Sequence, residues 1–224
     1  MNYIKKINYN TNKYNFASKV KNIFDVENLG MLHTKLPKHI QYNDLHRVGE
    51  DSKTWYHKEF YAPINKGNKE IIDLYESFIK DEVSKILDFD VFLFQAIPTF
   101  RVHSPNNIAV GGWHRDRDYN HSIHEINFYM PLNLAKDSST IWSESVEDKE
   151  DYSPINGDFG DLIMWDGANL KHGNVRNNTG RTRVSLDFRV LELSKYQENE
   201  TRKTISTGRA LVLGDYFKLN GVKK

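Results

Sequence analysis

The residues best suited to chemistry lie between Trp113 and Arg189. His114 and Asp116 are two apart, His172 stands far downstream, and Arg183 and Ser185 follow it. Two imidazoles and one carboxylate on one side of a divalent ion leave its opposite positions open, which is what non-haem Fe(II) oxygen chemistry needs. In an extended segment, residues two apart point to the same side. His114 and Asp116 would then share a face, and the fold would have to deliver His172 to them. His121 and His124 are rival ligands near the first pair, while His33, His39, His46, His57 and His103 read as surface or structural histidines. Arginine presents a planar fork that matches a carboxylate, so Arg183, with the Ser185 hydroxyl on the same strand face, suits an acidic co-substrate. Arg181 is the alternative, and an ordinary ion pair with Asp187 is the competing use of Arg183.

The elements that must position these groups are mostly strands. From Arg183 to Val190, Val184, Leu186, Phe188 and Val190 alternate with Arg183, Ser185, Asp187 and Arg189, the period of a strand with unlike faces. Val91 to His103 reads as one long extended segment. Phe92, Phe94, Ala96, Pro98, Phe100 and Val102 fall on one side, and Gln95, Ile97, Thr99, Arg101 and His103 on the other. Ile123–Leu134 is a further strand, with Asn127 and Tyr129 opposite Phe128 and Met130. Thr140–Val146 and Asp161–Trp165 add two more, separated by turns at Asn156-Gly157-Asp158 and Asp166-Gly167. The spacing of Phe16, Val20, Ile23 and Phe24 predicts a short helix. The stripe from Ile71 through Tyr75, Phe78, Ile79 and Val83 to Leu87 predicts a longer one. The first ten or so residues read as irregular, and Met31 to Lys66 as loops and short strands. Together these imply a mainly β fold, a double-sheet jelly roll with flanking N-terminal helices. The polar strand faces would line its interior, and the helices would cover its apolar outside. Residues 1–224 are expected to form a single domain with its catalytic core at about 91–194. The acidic stretch Glu144–Asp151 reads as a solvated loop.

Composition narrows the function classes. The formal net charge is +1, which gives no reason to expect nucleic acid or an anionic membrane as partner. With no cysteine, a disulfide framework, thiolate metal sites and a cysteine nucleophile are all excluded. The start, Met1 to Lys6, has basic residues but no apolar run behind them, and no stretch is long and apolar enough to span a bilayer. A soluble cytoplasmic protein is expected, without an assigned oligomeric state.

His114-x-Asp116, His172 and Arg183-x-Ser185 resemble the signature of the Fe(II)/2-oxoglutarate-dependent dioxygenases. The runs Gly112–Asp116, Glu125–Leu132, Ile141–Ser145, His172–Asn174 and Arg183–Arg189 resemble a bacterial branch that includes a streptomycin-biosynthesis-type oxygenase. The resemblance covers roughly Gln95 to Val190. It implies a double-stranded β-helix and Fe(II) held by His114, Asp116 and His172 as the catalytic centre. It also implies 2-oxoglutarate as co-substrate, held through Arg183 and Ser185. Gln95 and Asn127 are further candidates for contact with the co-substrate, and Arg101, Tyr129, Trp142 and Arg189 for the substrate, with Trp113 and Tyr119 near the mouth. Asp161 or Asn174 could orient the ligand histidines. The expected reaction is hydroxylation by O2 of a small polar metabolite (an amino acid, sugar or nucleoside derivative), releasing succinate and CO2. Related halogenases carry a small residue in place of the carboxylate ligand, so Asp116 points to oxidation without halide. The alternative is a non-redox cupin-like jelly roll that binds a metal or a sugar and needs no arginine after His172.

Overall fold

The structure is a computed structural model that describes residues 4–40, 50–110, 112–199, 201–205 and 207–221. His46 and the first three residues lie outside them. The elements in chain order are β1 (Lys5–Asn8), α1 (Phe16–Phe24), α2 (Trp55–Asn65), α3 (Glu70–Asp81), β2 (Phe92–Gln95) and β3 (Thr99–His103). Then come β4 (Ile126–Pro131), β5 (Trp142–Ser143), β6 (Ser153–Pro154), β7 (Asp161–Trp165), β8 (His172–Gly173), β9 (Arg183–Glu192) and β10 (Phe217–Asn220). A larger sheet runs β1-β7-β4-β9-β2-β10, with β3 also paired to β9, and a smaller one runs β6-β5-β8. All strand pairs are antiparallel.

The alternation along β9 divides as the sequence implies. Val184, Leu186, Phe188 and Val190 are buried in the main apolar cluster with Phe16, Phe60, Tyr75 and Phe78 from the three helices. Arg183, Asp187 and Arg189 line an inner cavity on the other face. Aromatic contacts tie the helices down: Phe60 stacks on Phe100 at 4.1 Å, and Phe78 meets Phe188 edge-on at 6.4 Å. Phe128 stacks on Phe188 across the sheet at 4.9 Å.

Several expectations change, among them the helix predicted to reach Leu87, which ends at Asp81, and the strand predicted over Ile123–Leu134, which spans Ile126–Pro131. Val91–His103 is two strands, not one. β9 pairs Phe94 with Val190 and Thr99 with Asp187, so the β2–β3 side has two residues more than β9 opposite it. Pro98 has no N–H for the ladder, and the break is satisfied from outside: Tyr75 donates to the Gln95 carbonyl (2.8 Å) and Tyr61 to that of Pro98 (3.0 Å). Residues 55–65 form α2 rather than loop or strand. Pro63 sits in its last turn, and Tyr56 and Phe60, one helical turn apart, are buried against the sheet. The predicted strand Thr140–Val146 narrows to Trp142–Ser143 because Ser145 turns to bond Asp151. Within the first ten residues Lys5–Asn8 is a strand: it pairs with Met164–Asp161, a backbone interaction that asks little of side-chain type. No helix among the described residues is long and apolar enough to cross a membrane.

Truncating Phe60 to alanine should cost about 3–5 kcal/mol, the range for emptying a buried aromatic site. Urea unfolding should show a lower midpoint at unchanged slope. A loss under about 1 kcal/mol would mean that α2 is not anchored through this stack.

Candidate metal centre

His114 and His172 are brought together by the backbone. The His114 N–H donates to the His172 carbonyl and the His172 N–H to the His114 carbonyl, both at 2.9 Å. Residues opposed in this way project their side chains to the same face, and the two rings lie 4.4 Å apart. Each Nδ1 is held by a carbonyl two residues back, Gly112 for His114 (2.7 Å) and Leu170 for His172 (2.9 Å). A carbonyl only accepts, so each Nδ1 carries a proton, and in the neutral ring Nε2 is the nitrogen that holds the lone pair. These backbone oxygens do the orienting for which Asp161 and Asn174 were candidates. Asp161 instead pairs with Lys6 and Asn8, and Asn174 with Arg183 and the Val110 carbonyl.

Asp116 follows in a 3₁₀ turn, its N–H bound to the Gly167 carbonyl at 3.0 Å. Its Oδ1 lies 3.7 Å from His114 Nε2 and 3.9 Å from His172 Nε2. The three donor atoms are all within 4.8 Å of one another. Bonds from such donors to a metal are about 2 Å long, so less than about 1 Å of side-chain adjustment lets one ion reach all three. The donor set is that of a facial triad. Oδ2 is otherwise engaged: it accepts from Asn127 Nδ2 (2.6 Å), Arg189 Nε (2.9 Å) and Arg189 Nη2 (2.7 Å). Burial alone would raise the Asp116 carboxyl, but Arg189 and then the two histidines hold it well below the usual carboxylate range. Burial and the neighbouring His114 push His172 down to about 3. A metal would therefore meet a carboxylate and, at His172, an imidazole with no proton to displace. Asn127 must turn its NH₂ to the carboxylate, which leaves its buried Oδ1 without a partner beside the donor set. Gly167 makes this approach feasible, since a Cβ there would sit 2.8 Å from the Asn127 amide.

Sequence reasoning missed Glu144. It is fully buried, and its Oε1 accepts from the Lys171 N–H (2.6 Å) and from Arg115 Nη2 (3.4 Å). Arg115 sits between the first two donors and Lys171 immediately precedes the third, so one carboxylate ties both ligand-bearing segments from behind. The acidic stretch around it is not simply solvated. Arg115 also binds Asp148, Arg117 binds Glu147, and Lys171 reaches Glu150. The signal available was that Glu144 lies within the segment read as a strand, Thr140–Val146, rather than only in the acidic run after it.

Arg183 lines the same cavity as the three donors. It is 3% exposed, with Nε on the Ser139 carbonyl (3.1 Å), Nη1 on Ser185 Oγ (3.1 Å) and Nη2 on Asn174 Oδ1 (3.3 Å). The Ser185 hydroxyl in turn donates to Asp187 (3.0 Å). Arg181 is exposed and its guanidinium lies against Gly30, so of these two arginines it is Arg183 that lines the cavity. Arg101 lies between this cavity and a wider outer one, bound to Asp51 and 3.5 Å from Asp187. Gln95 faces the outer cavity, with its NH₂ on the Ile97 carbonyl and Thr99 and its oxygen accepting from Tyr216. Asn127 and Arg189 both meet Asp116 rather than standing free for co-substrate or substrate. Tyr129 is fully buried beneath Arg183, with its hydroxyl 3.2 Å from Thr140, and Trp142 donates to the Asp137 carbonyl. Neither lines either cavity. His121 pairs with Glu125 at 2.8 Å and His124 is exposed, so neither joins the donor set. The C-terminal segment, which carried no signal, supplies Thr204, Thr207, Arg209 and Tyr216 to the outer cavity beside Tyr119.

The chain is 41% identical over 167 residues to the streptomycin biosynthesis protein StrG of Streptomyces griseus, covering 75% of this chain and 77% of StrG. No family model matches it. Among solved structures, EctD from S. alaskensis with 2-oxoglutarate and 5-hydroxyectoine is 12% identical, with TM-score 0.50 over 88% of this chain and 74% of EctD. The non-haem alpha-ketoglutarate-dependent carbocyclase SnoK from nogalamycin biosynthesis is 10% identical, with TM-score 0.50 over 98% of this chain and 92% of SnoK. The fold is thus the jelly roll that those oxygenases share.

Two outcomes test this geometry. Replacing Glu144 with glutamine should weaken Co(II) binding by about tenfold or more, the usual effect of losing a group that orients ligands. Unchanged affinity in a calorimetric titration would show that the two segments need no such tie. Burial and then Arg183 push the imidazole of His103 down to about 4, whereas an unfolded histidine titrates near 6.5. The unfolded chain binds more protons between those values, so the metal-free protein should lose stability as pH falls from about 6.5 toward 4. His103→Gln should flatten that slope, and an unchanged slope would mean that His103 is charged in the fold.

Proposed function

The chain belongs to the family of the streptomycin biosynthesis protein StrG, and from that premise we propose that it is an Fe(II)- and 2-oxoglutarate-dependent dioxygenase. Its substrate is a small polar metabolite, and the balanced reaction is substrate–H plus 2-oxoglutarate plus O2 giving substrate–OH, succinate and CO2. The observation that carries the reading is a single buried cavity that holds both the His114/Asp116/His172 donor set and the guanidinium of Arg183. Iron bound there would supply the redox chemistry, activating O2 at the expense of the oxoacid. A non-redox jelly-roll binder would have no use for a buried arginine in that place.

The chain's own residues do the rest. His114 and His172 offer Nε2, Asp116 offers Oδ1, and the oxoacid's far carboxylate is taken by Arg183, with Ser185 beside it. Val102, Ala109, Val110 and Ile141 in the cavity wall keep water away from the reacting centre. The cavity is formally neutral before anything binds: Arg101, Arg183 and Arg189 balance Asp51, Asp116 and Asp187. A divalent cation alone would leave two uncompensated positive charges in a buried place, which is costly. A dianion cancels them, so cation and oxoacid should each favour the other. Substrate enters by the outer cavity, whose wall mixes Tyr61, Asn65, Tyr119, Thr204 and Thr207, groups suited to hydroxyls and amides rather than to a long acyl chain.

Under anaerobic conditions, Fe(II) and 2-oxoglutarate together should produce a weak visible charge-transfer band, absent in His114→Ala. Arg183→Gln should weaken 2-oxoglutarate binding by about 10–100-fold, the worth of a charge-assisted bond pair, while leaving Fe(II) affinity much less changed. No band in the unaltered protein, and no succinate under air, would remove this function.

A further inference from the structure

The two oxygens of Asp116 are in unlike surroundings. Oδ1 faces the histidines, while three N–H groups converge on Oδ2. Arg189 does not straddle the carboxylate with its fork in the usual bidentate manner. Nε and Nη2 both address the same oxygen, at 2.9 and 2.7 Å. Asn127 adds a third bond at 2.6 Å, and it stands directly opposite Arg189 in the β4–β9 pairing, so the two act from one point of the sheet.

This asymmetry bears on how many positions an ion has left. An octahedral ion has room for three protein donors, the two oxygens of a chelating oxoacid and O2, and no more. A carboxylate free to swing can chelate through both oxygens and close the last position. We infer that Arg189 is a positioning residue that, with Asn127, withholds Oδ2 from the ion and so keeps the O2 position open. The inference rests on the function proposed above.

Arg189 is itself fixed from beyond the donor set. Its Nη1 donates to the Tyr216 hydroxyl (3.2 Å), which donates to Gln95 Oε1 (2.9 Å). The Gln95 amide is anchored on the Ile97 carbonyl (2.7 Å) and Thr99 Oγ1 (2.9 Å). Glu125 lies 3.8 Å from Arg189 Nε and is held in turn by the Ser122 N–H and His121. The guanidinium therefore has little freedom to follow Asp116 if the carboxylate rotates. Tyr216 also lines the outer cavity with Thr204, Thr207 and Arg209, so it serves the metal centre as well as that wall.

The test uses nitric oxide as a stand-in for O2, added anaerobically to the whole protein with Fe(II) and 2-oxoglutarate and followed by electron paramagnetic resonance. The unaltered protein should give the charge-transfer band and a ferrous nitrosyl signal. Arg189→Gln should lose about tenfold in Fe(II) affinity, the low end of the range for losing a group that holds a ligand, because Oδ1 stays available to the ion. Its nitrosyl signal should need about tenfold more nitric oxide or more, with Arg189→Lys intermediate. Tyr216→Phe, which leaves every bond to Asp116 in place, should shift the nitric oxide requirement in the same direction by less. Should Arg189→Gln fail to fold, Asn127→Ala removes a bond to the same oxygen and carries the same expectation. A variant that folds and matches the unaltered protein in Fe(II), 2-oxoglutarate and nitric oxide binding overturns the positioning role. Equal loss of all three also overturns it, because the arginine would then be merely structural. Absence of the band in the unaltered protein defeats the proposed function first, and this inference with it.

Discussion

Two reciprocal backbone hydrogen bonds, from His114 to His172 and back, are the constraint on which the site depends. They make the spacing of the two imidazoles a property of the main chain rather than of side-chain packing. Two further carbonyls, at Gly112 and Leu170, then decide which ring nitrogen is free. All four bonds use peptide groups, which every residue possesses, so the geometry survives substitution nearby provided the two segments stay paired. The carboxylate of Glu144, which lines neither cavity, bonds both segments at once.

The larger sheet contributes a different kind of control. Asn127 on β4 and Arg189 on β9 reach the same Asp116 oxygen, and Arg183 stands farther along β9 on the same face. One ten-residue strand thus places two of the cavity's three arginines on one face, while its other face is buried under the helices. The apolar packing of Phe188 against Phe128 and the helices is what allows the opposite face to carry so much charge. One buried and two partly buried arginines would be costly alone, and each has an aspartate or a set of oxygen acceptors within reach.

Much of this was legible in the chain. The alternation of Val184, Leu186, Phe188 and Val190 with charged residues was enough to place β9, and Asp161–Trp165 is the strand predicted. The donor residues were legible because few side-chain types can hold a redox metal once cysteine is absent. The roles of Asn127 and Arg189 were not, because a polar residue on an inward face reads the same whether it meets a ligand or the residue that holds the ligand. Glu144 was hidden by its neighbours: an acidic run suggests solvent, and only the fold shows that one member faces inward. The C-terminal segment gave no periodic pattern, and its contribution through Tyr216 depends on pairing between β10 and β2 that no local spacing announces.

The smaller sheet has strands of only two residues each. Such strands form few ladder bonds and have little independent stability. His172 belongs to this fragile sheet, whereas the groups that grip Asp116 belong to the robust one. An ion shared by His172 and Asp116 would therefore act as a rivet across a seam. Metal loss would be felt first as fraying of one edge of the molecule, with the helical side and the long strands left intact. Amide protons around Ser143 and His172 are the natural place for that loosening to appear, long before the whole chain comes apart.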